Sequence, residues 1–369
     1  MRYYLIAGEA SGDLHGSNLI KALHKKDSKA EIRCFGGDMM RKAGASLAKH
    51  YKEMAFMGFF EVIKNLPTIF KNIKFCKNDI AKFQPDVIIF IDFSGFNLRI
   101  AKWAKKHGLK TNYYISPQVW ASRKSRVNQI KRDIDEMYVI LPFEKEFYAD
   151  NGYNATFVGH PLLDAIAATE LQNESEFRTK NNLDPNKPII ALLPGSRRQE
   201  VQKMLSIMLS VQQNFSEYQF VIAGAPSLDD DFYTPFIKDA TVSYVSGQTY
   251  DLLKNAHAAL VTSGTATLET ALFKVPQVVC YKGNWISYQI AKRIITLDYI
   301  SLVNLIMNKE VVKELIQNDL NQKNLQIALS KIVNGKERKI ILEDYNTLEK
   351  KLGGRGASDR AAELIIKNG

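Results

Sequence analysis

The sequence has few cysteines and no long apolar run. Its 369 residues include three cysteines, Cys34, Cys76 and Cys280, which are far apart and form no C-x-x-C pair. This spacing argues against a disulfide framework or a cysteine zinc site, and favours reduced thiols in the cytosol. No stretch of about 18 apolar residues occurs, and the first apolar run is too short for a signal peptide. We therefore expect a cytoplasmic protein without a membrane-spanning helix.

Several common catalytic motifs are missing as well. The chain has no G-x-G-x-x-G turn, no G-x-x-x-x-G-K-[ST] loop, no G-x-S-x-G elbow and no H-E-x-x-H pair. These absences argue against a dinucleotide-dependent oxidoreductase, a P-loop protein, an α/β-hydrolase and a zinc protease. No His and Cys cluster has metal-ligand spacing, so we expect no bound metal.

Positive charge is in excess. The chain has 50 Lys and Arg against 39 Asp and Glu, a formal charge of +11 and a pI near 9.3. This excess of positive charge suggests an anionic partner, which could be nucleic acid, an acidic membrane surface or a phosphorylated substrate. Composition alone does not choose among them.

Short apolar runs alternate with helix-like segments along the chain. The runs in the first half are YYLIAG, IRCFGG, DVIIFID, TNYYIS, MYVILP and TFVGH, and those in the second are PIIALLPG, QFVIAGAP, ALVTSG and QVVCYKG. Such alternation predicts an α/β fold with parallel sheets. A polar stretch over 168–187 predicts a linker. We therefore expect domains over 1–167 and 188–345, and a helical tail over 346–369 that could return to the first domain.

The segment GEASGD, residues 8–13, follows the first predicted strand. Ligands of open parallel sheets bind at the carboxyl ends of strands, where helix N-termini present free N–H groups. Gly8 and Gly12 would let a ligand approach the backbone, and Asp13 is placed to cap the following helix. The segment is therefore either a ligand-binding turn or simply a capped strand-to-helix turn.

Two turns in the second half suit a phosphate group. In LLPGSRRQE, Gly195 ends a strand, and Arg197 or Arg198 could bind a diphosphate. In TSGTATLE, hydroxyls and small residues crowd a helix start; they are Ser263, Gly264, Thr265, Ala266 and Thr267. Glu269 could accept hydrogen bonds from ribose hydroxyls, or only stabilise the helix dipole.

Polar residues also follow two further strands of the first half. Asp92 in IDFSGFN could act as a general base, or cap the helix that begins near Asn97. ISPQVWASR places Gln118 after the next strand. His15 and His160 are the histidines nearest strand ends. Each could belong to a site, or could simply hold a loop in place.

Taken together, these motifs resemble the lipid-A-disaccharide synthases in order and spacing over essentially the whole chain. The matching segments are GEASGD with His15, MGFFEV, IDFSGFN, SPQVWA, GHPLLD, LLPGSR, TSGTATLE, SLVNLI and GASDRAAELI. The resemblance implies a GT-B glycosyltransferase with two Rossmann-like, doubly wound domains facing a central cleft, and no cofactor or metal. It implies transfer of a diacylated glucosamine from UDP to a diacylglucosamine 1-phosphate, giving a β-1,6-linked disaccharide with inversion.

The resemblance also assigns roles to residues. Asp92 would deprotonate the acceptor, with Glu9 as the alternative base. The sugar site would be lined by Ser11, Asp13, His15, Asn97 and Gln118. UDP would be bound by Gly195, Arg197, Ser263, Gly264, Thr265, Ala266, Thr267, Glu269 and Asn304. The chain departs from the commoner family pattern at Phe93, Ser94 and Gly95, which puts fine acceptor contacts in doubt.

A surface for anionic lipids is predicted over residues 56–82. The apolar set is Phe59, Ile63, Leu66, Phe70 and Ile73, and the basic set is Lys64, Lys71, Lys74, Lys77 and Lys82. Pro67 would divide the segment into two short helices. The same pattern fits a helix whose apolar face packs into the core. The basic stretch 99–132 could face the same lipids at the inner membrane.

Three other functions fit parts of the pattern. A dinucleotide-dependent oxidoreductase would explain the doubly wound domains, and a two-lobed binding protein would explain the fold without chemistry. A UDP-sugar epimerase shares the fold but needs no surface for acyl chains. We expect UDP-diacylglucosamine, diacylglucosamine 1-phosphate and anionic lipids as partners, and no nucleic acid; a homodimer stays open.

Overall fold

Two compact units organise the chain. The computed structural model describes residues 1–53, 66–122, 126–237, 242–283 and 298–369. Unit 1 comprises Met1–Ala168 and Leu352–Gly369, and unit 2 comprises Thr169–Lys351. The chain therefore leaves unit 1 once and returns to it at its end.

The polar stretch 168–187, expected to be a linker, belongs almost entirely to unit 2. It contains a helix over Glu174–Lys180 in which Phe177 is fully buried. Arg178 donates hydrogen bonds to the carbonyl groups of Asp184 and Lys187, at 2.7 and 3.1 Å. Two large side chains thus anchor a segment whose overall composition resembles that of a linker.

The C-terminal residues are divided between the units. The helix over Lys336–Lys351 lies in unit 2, and the chain joins unit 1 from Leu352 onward. There the carboxylate of Asp164 accepts hydrogen bonds from the N–H groups of Gly356 and Ser358, at 2.5 and 3.1 Å. Arg360 donates to the carbonyl of Val158 at 2.8 Å. These bonds fix the last helix on unit 1.

Unit 1 is built on a seven-stranded sheet. Its strands are β1 (Arg2–Ala7), β2 (Glu31–Gly36), β3 (Ser46–His50), β4 (Val87–Ile91), β5 (Lys110–Tyr114), β6 (Glu136–Val139) and β7 (Thr156–Phe157). The strand order is β3-β2-β1-β4-β5-β6-β7, with every pair parallel. The sequence VIIFI of β4 is buried at all five positions, as expected for a strand covered by helices on both faces.

Unit 2 repeats this plan with six strands. They are β8 (Ile189–Leu193), β9 (Gln219–Gly224), β10 (Val242–Ser246), β11 (Ala256–Thr262), β12 (Gln277–Tyr281) and β13 (Lys313–Ile316). The order is β10-β9-β8-β11-β12-β13, again all parallel. In each sheet the strand order reverses beside the first strand, between β1 and β4 and between β8 and β11. Ligands of such sheets bind at this switch point.

Helices cover both sheets. The first eight are α1 (Ala10–Lys26), α2 (Asp38–Lys42), α3 (Leu66–Phe83), α4 (Ser94–Lys106), α5 (Val119–Ser122), α6 (Arg126–Asp133), α7 (Pro142–Asp150) and α8 (Leu162–Ala167). The next eight are α9 (Glu174–Lys180), α10 (Arg198–Leu209), α11 (Thr234–Ile237), α12 (Thr249–Asn255), α13 (Thr265–Leu272), α14 (Leu302–Met307), α15 (Gln322–Val333) and α16 (Lys336–Lys351). The last is α17 (Ala357–Asn368), and short 3-10 turns lie at Tyr51–Glu53, Gln212–Asn214, Asp230–Phe232 and Gln317–Asp319.

The predicted lipid surface is only partly within the described residues. Phe59, Ile63 and Lys64 lie outside them. In α3, which has Pro67 in its first turn, Ile73 is buried in the core whereas Phe70 is 59% exposed. Phe70 and Ile73 are three residues apart and are therefore neighbours on the helix surface. The predicted single exposed apolar face is nevertheless not formed by them, because Ile73 packs into the core while Phe70 is exposed. No helix among the described residues is both long and apolar enough to cross a membrane.

Candidate active site

The loops after β1 and β4 lie side by side in unit 1. The two strands end in register, with Ala7 opposite Ile91. A Cβ atom on Gly8 would lie 2.2 Å from the ring of Phe93, a distance that real Cβ atoms do not reach. Glycine is therefore needed at this position. The close contact between Gly8 and Phe93 brings the segments GEASGD and IDFSGFN together into one surface.

Asp92 sits on an unusual turn. It has a φ of 41° and Phe93 a φ of 48°, the left-handed region that costs energy for residues with a Cβ atom. Asn97 donates a hydrogen bond from Nδ2 to the carbonyl of Asp92 at 2.8 Å, and the hydroxyl of Tyr113 donates to the same oxygen. The N–H of Asp92 donates to the carbonyl of Ile115 at 3.1 Å. Hydrogen bonds from neighbouring elements thus hold the turn.

The carboxyl group of Asp92 does not cap α4. Phe93 occupies the N-cap position, and no side chain makes a capping bond there. Burial and the nearby carboxylate of Glu9 raise the pKa of Asp92 to about 6, against the opposing effect of the N–H of Phe93. Glu9 itself is exposed at the start of α1. A half-buried carboxylate that takes up a proton near neutral pH is suited to general-base catalysis.

Asp13 has a different role from the predicted ones. It lies within α1 and is only 4% exposed. Its carboxylate accepts hydrogen bonds from the N–H groups of Gly37, Met39 and Met40, at 2.8, 3.1 and 3.0 Å. It therefore caps α2 instead of its own helix, and both of its oxygens are engaged within the protein rather than available to a sugar.

His15 is also withdrawn from the surface. It is 8% exposed, and its Nδ1 has no hydrogen-bond partner among the described residues. Burial lowers the pKa of His15 to about 4, with Asp164 opposing the change. Burial together with His15 lowers the pKa of His160 to about 3. Both rings are therefore neutral at physiological pH, and the prediction that His15 lines a sugar site receives no support from its burial.

The other predicted sugar ligands differ in exposure. Ser11, in the first turn of α1, and Gln118, just before α5, are exposed. Asn97 is fully buried, and its Nδ2 also approaches the carbonyls of Ile6 and Ile91, at 3.4 and 3.3 Å. Asn97 thus supports the ends of β1 and β4, while its Oδ1 has no hydrogen-bond partner among the described residues. Its role in substrate binding stays a prediction.

Unit 2 contains a cavity of about 300 Å³ at the carboxyl ends of β8, β9 and β11. The predicted residues that line it are Gly195, Ser263, Gly264, Thr265, Ala266 and Glu269. Gly195 has a φ of 109°, and a Cβ there would lie 3.0 Å from Oε2 of Glu200. The cavity therefore brings two distant segments of the sequence together at the switch point of the second sheet.

The N-terminus of α13 opens onto this cavity. Gly264 is the N-cap residue, and no side chain caps the helix, so its first N–H groups face the cavity without a capping side chain. Thr267 is fully buried, and its hydroxyl donates to the carbonyl of Gly264 at 2.8 Å. Thr267 thus shapes the helix start and does not line the cavity, unlike the prediction.

Glu269 reaches the cavity from one turn inside α13. The hydroxyl of Tyr250 donates to its Oε1 at 2.8 Å. Burial raises the pKa of Glu269, and the hydrogen bond from Tyr250 opposes this rise. A half-buried carboxylate whose second oxygen is unbonded among the described residues is able to accept a hydrogen bond from a ligand hydroxyl.

The side chains of Arg197 and Asn304 differ in their exposure and in how far they are already hydrogen-bonded within the protein. Arg197 precedes α10, is 68% exposed and lies 3.3 Å from Glu200. Asn304 is fully buried; its Nδ2 donates to Val312 and Glu314, each at 2.9 Å. Its Oδ1 accepts from the N–H groups of residues 311 and 312. The side-chain amide of Asn304 is therefore fully bonded within unit 2, which gives it a structural role, and its contact with UDP stays a prediction.

Sequence reasoning missed several residues of these sites. Thr262, Glu200 and Thr249 line the cavity in unit 2. The hydroxyl of Thr262 is buried and has no partner within the described part of the chain. In unit 1, the carboxyl group of Glu144 is buried near Asp92, and burial raises its pKa to about 7. Only Thr262 carried a signal, since it directly precedes the Ser263 turn at a strand end.

Within the described ranges, no group of three or more His, Cys, Asp or Glu side chains could hold a metal ion. The three cysteines are buried as free thiols.

Comparison with known proteins gives a family and a fold. A family model described as lipid-A-disaccharide synthetase matches residues 3–367. The lipid-A-disaccharide synthase of Syntrophus aciditrophicus (strain SB) is 40% identical over 370 residues, which are 98% of this chain and 96% of that protein.

Two solved structures share the fold at low identity. The UDP-GlcNAc 2-epimerase of Neisseria meningitidis, solved with UDP-GlcNAc bound, has a TM-score of 0.72 at 13% identity and covers 100% of both chains. The glycotransferase of kitacinnamycin has a TM-score of 0.68 at 13% identity, covering 99% of this chain and 98% of that one. With the two parallel sheets, these likenesses confirm the predicted GT-B class with two Rossmann-like units.

Proposed function

This chain belongs to the lipid-A-disaccharide synthase family, and from that membership we propose which residues carry out its reaction. It is a glycosyltransferase of lipid A biosynthesis. The enzyme joins UDP-2,3-diacylglucosamine to 2,3-diacylglucosamine 1-phosphate, forms a β-1,6 bond with inversion and releases UDP. The epimerase alternative fails because the epimerase likeness is limited to 13% identity, against 40% for a synthase.

Asp92 is the proposed general base. In an inverting transfer, the acceptor hydroxyl attacks the anomeric carbon from the face opposite UDP, and its proton must be removed. Asp92 would accept that proton while UDP leaves with the electron pair of the broken bond. The observation that carries this role is its half-buried carboxyl group at the switch point, with its pKa raised to about 6 by burial and by Glu9. Glu9 is the alternative base.

The cavity in unit 2 is the proposed UDP site. The N-terminus of α13 would face the diphosphate with its free N–H groups, and Arg197 would add positive charge as UDP leaves. Glu269 would accept hydrogen bonds from the ribose hydroxyls, and so could the hydroxyl of Thr262, which is without a partner in the part of the chain that the structure describes. Ser11 and Gln118, both exposed, are the remaining candidates for contacts with the acceptor sugar.

We also propose that unit 1 binds anionic lipid at the cytoplasmic face of the inner membrane. Phe70 and Phe75 are 59% and 43% exposed on α3. The exposed basic residues around them and on α4 are Lys71, Lys74, Lys82, Arg99, Lys102 and Lys106. Exposed aromatics within a basic surround are typical of interfacial binding, and the substrates' acyl chains would then stay in lipid.

A disaccharide assay tests the function directly. Purified protein is mixed with synthetic UDP-diacylglucosamine and diacylglucosamine 1-phosphate, and the products are identified by mass and by the configuration of the new bond. We expect a β-linked disaccharide 1-phosphate and one UDP per bond formed. Release of UDP without disaccharide, or an α-linked product, would contradict the proposed chemistry.

A further inference from the structure

The turn that carries Asp92 is held by a side chain outside the proposed chemistry. Tyr113 lies on β5, directly beside β4, and is fully buried. Its hydroxyl donates to the carbonyl oxygen of Asp92. Asn97 donates to the same oxygen from α4. One main-chain carbonyl therefore receives two side-chain donors from two different elements.

The turn needs such support. Two consecutive non-glycine residues, Asp92 and Phe93, have left-handed φ angles, a conformation that is unfavourable for residues with a Cβ atom and persists only where the surroundings hold it. The ring of Phe93 fills the space beside Gly8 and stacks on Phe96 with centroids 5.3 Å apart. Packing thus fixes one side of the turn, and hydrogen bonds fix the other.

We propose that Tyr113 is a positioning residue for the base: by holding the Asp92 carbonyl, it sets the direction of the Asp92 carboxyl group. This inference rests on the proposed role of Asp92. The hydroxyl of Tyr113 lies under the turn, on the main-chain oxygen, so it acts through Asp92 and not on the substrate.

Charged and titratable groups from several elements act on the turn. Glu9, just before α1, and Glu144 of α7 interact with Asp92, while Tyr148 of α7 and Arg126 of α6 act on Tyr113. Burial and Asp92 raise the pKa of Tyr113 well above its usual value. The hydroxyl therefore stays protonated and donates throughout the working pH range. Changing Tyr113 to Phe leaves each of these charges in place.

Tyr113→Phe tests the proposal because it removes one oxygen and keeps the ring. We expect kcat to fall about tenfold, as small misplacements of a catalytic group do, with little change in either KM. We also expect the acid limb of the pH profile to move to higher pH. A relaxed turn weakens the bond from the N–H of Phe93 that stabilises the carboxylate, so the pKa of Asp92 rises.

Tyr153→Phe is the matched control. The hydroxyl of Tyr153 also donates to a main-chain carbonyl of unit 1, that of Ile134 at 3.1 Å. Its loss should lower the melting temperature to a similar extent but leave kcat and the acid limb unchanged. Equal kcat values and equal pH profiles for the two variants would overturn the positioning role.

A second variant keeps the proposal testable if the first one does not fold. If Tyr113→Phe does not fold, Asn97→Ala removes the other donor to the same carbonyl, and the same loss of kcat and the same shift of the acid limb are expected. Asp92→Asn with near-normal turnover would refute the proposed base itself. An inactive Asp92→Asn beside a Tyr113→Phe that matches Tyr153→Phe would refute the positioning role alone.

Discussion

The loops after β4 and β11 occupy the same place in two sheets of the same strand order, yet they carry different chemistry. In unit 1 this place holds a strained turn with a half-buried carboxyl group, and Glu9 adds a second acid from the loop after β1. In unit 2 it holds hydroxyls and the N-terminus of α13, with Gly195 opposite. In our proposal, one topology thus provides the base in one unit and the anion site in the other.

This difference predicts that catalysis and nucleotide binding are separable by mutation. Asp92→Asn keeps the shape of the side chain but removes its ability to accept a proton, so turnover should fall about 10²–10⁴-fold. The disaccharide assay at saturating substrate measures this effect. Near-normal turnover would make Asp92 a structural residue and leave Glu9 as the candidate base.

A substitution of Asn304 tests whether this residue stabilises the fold of unit 2 or binds the nucleotide. Removing its fully bonded amide in Asn304→Ala should lower the free energy of unfolding by about 2 kcal/mol, because buried groups lose their partners. Denaturant unfolding measures the loss, and the exposed Asn186 provides the control substitution to Ala. A stable Asn304→Ala protein that no longer binds UDP would support its predicted role as a ligand.

The lipid surface should belong to unit 1 alone. Phe70→Ser should weaken binding to anionic vesicles about ten- to hundredfold, since a buried aromatic side chain contributes about 1.5–3 kcal/mol. Co-sedimentation measures binding, which should also fall with salt. Ile327, 50% exposed on α15 in unit 2, is the control for loss of an exposed apolar group. Equal sedimentation of Phe70→Ser and wild type would refute α3 as the contact.

Arg197 should matter for the diphosphate and not for the nucleoside. Arg197→Ala should weaken UDP binding by about ten- to hundredfold, the scale of one charge-assisted hydrogen bond, and remove most of the preference for UDP over UMP. Arg198→Ala is the matched control, because that guanidinium lies over the ring of Phe232. If calorimetry finds the preference unchanged in Arg197→Ala, another group binds the diphosphate.

Substitution of Glu9 should have the smallest effect on turnover if its only role is to raise the pKa of Asp92. Activity of the wild-type enzyme should fall as the pH drops through about 6, because the base becomes protonated below the raised pKa of Asp92. Glu9→Gln removes the like charge and lowers that pKa, so the acid limb should move to lower pH with nearly unchanged turnover. A collapse of turnover in Glu9→Gln at all pH values would identify Glu9 as the base.

The sequence predicted the strands and the ends of the strands better than the partners of buried polar groups. Apolar runs such as VIIFI identify a covered strand, and small polar residues after them mark the switch points. The carboxylate of Asp13 illustrates the limit: spacing indicates a cap but not which helix it caps, since α2 reaches it only through the fold. The hydrogen bonds of Asn97 and Asn304 within the protein could not be predicted for the same reason, because their partners are brought beside them by sheet formation.

No pattern in the sequence around Tyr113 indicates its contact with the Asp92 turn. It is one of several aromatic residues in an apolar strand, and its hydroxyl meets Asp92 only because β4 and β5 pair in this register. Positions that support a site from a neighbouring strand therefore need the structure, whereas positions on the site's own loop are visible in the sequence.

Titration of UDP into Asp92→Asn tests the division of labour between the two units most directly. The same preparation is assayed for disaccharide formation and for UDP binding by calorimetry. We predict an unchanged dissociation constant for UDP beside a loss of turnover of about 10²–10⁴-fold. A parallel loss of UDP affinity and turnover would contradict the assignment of the base to unit 1 and the nucleotide to unit 2.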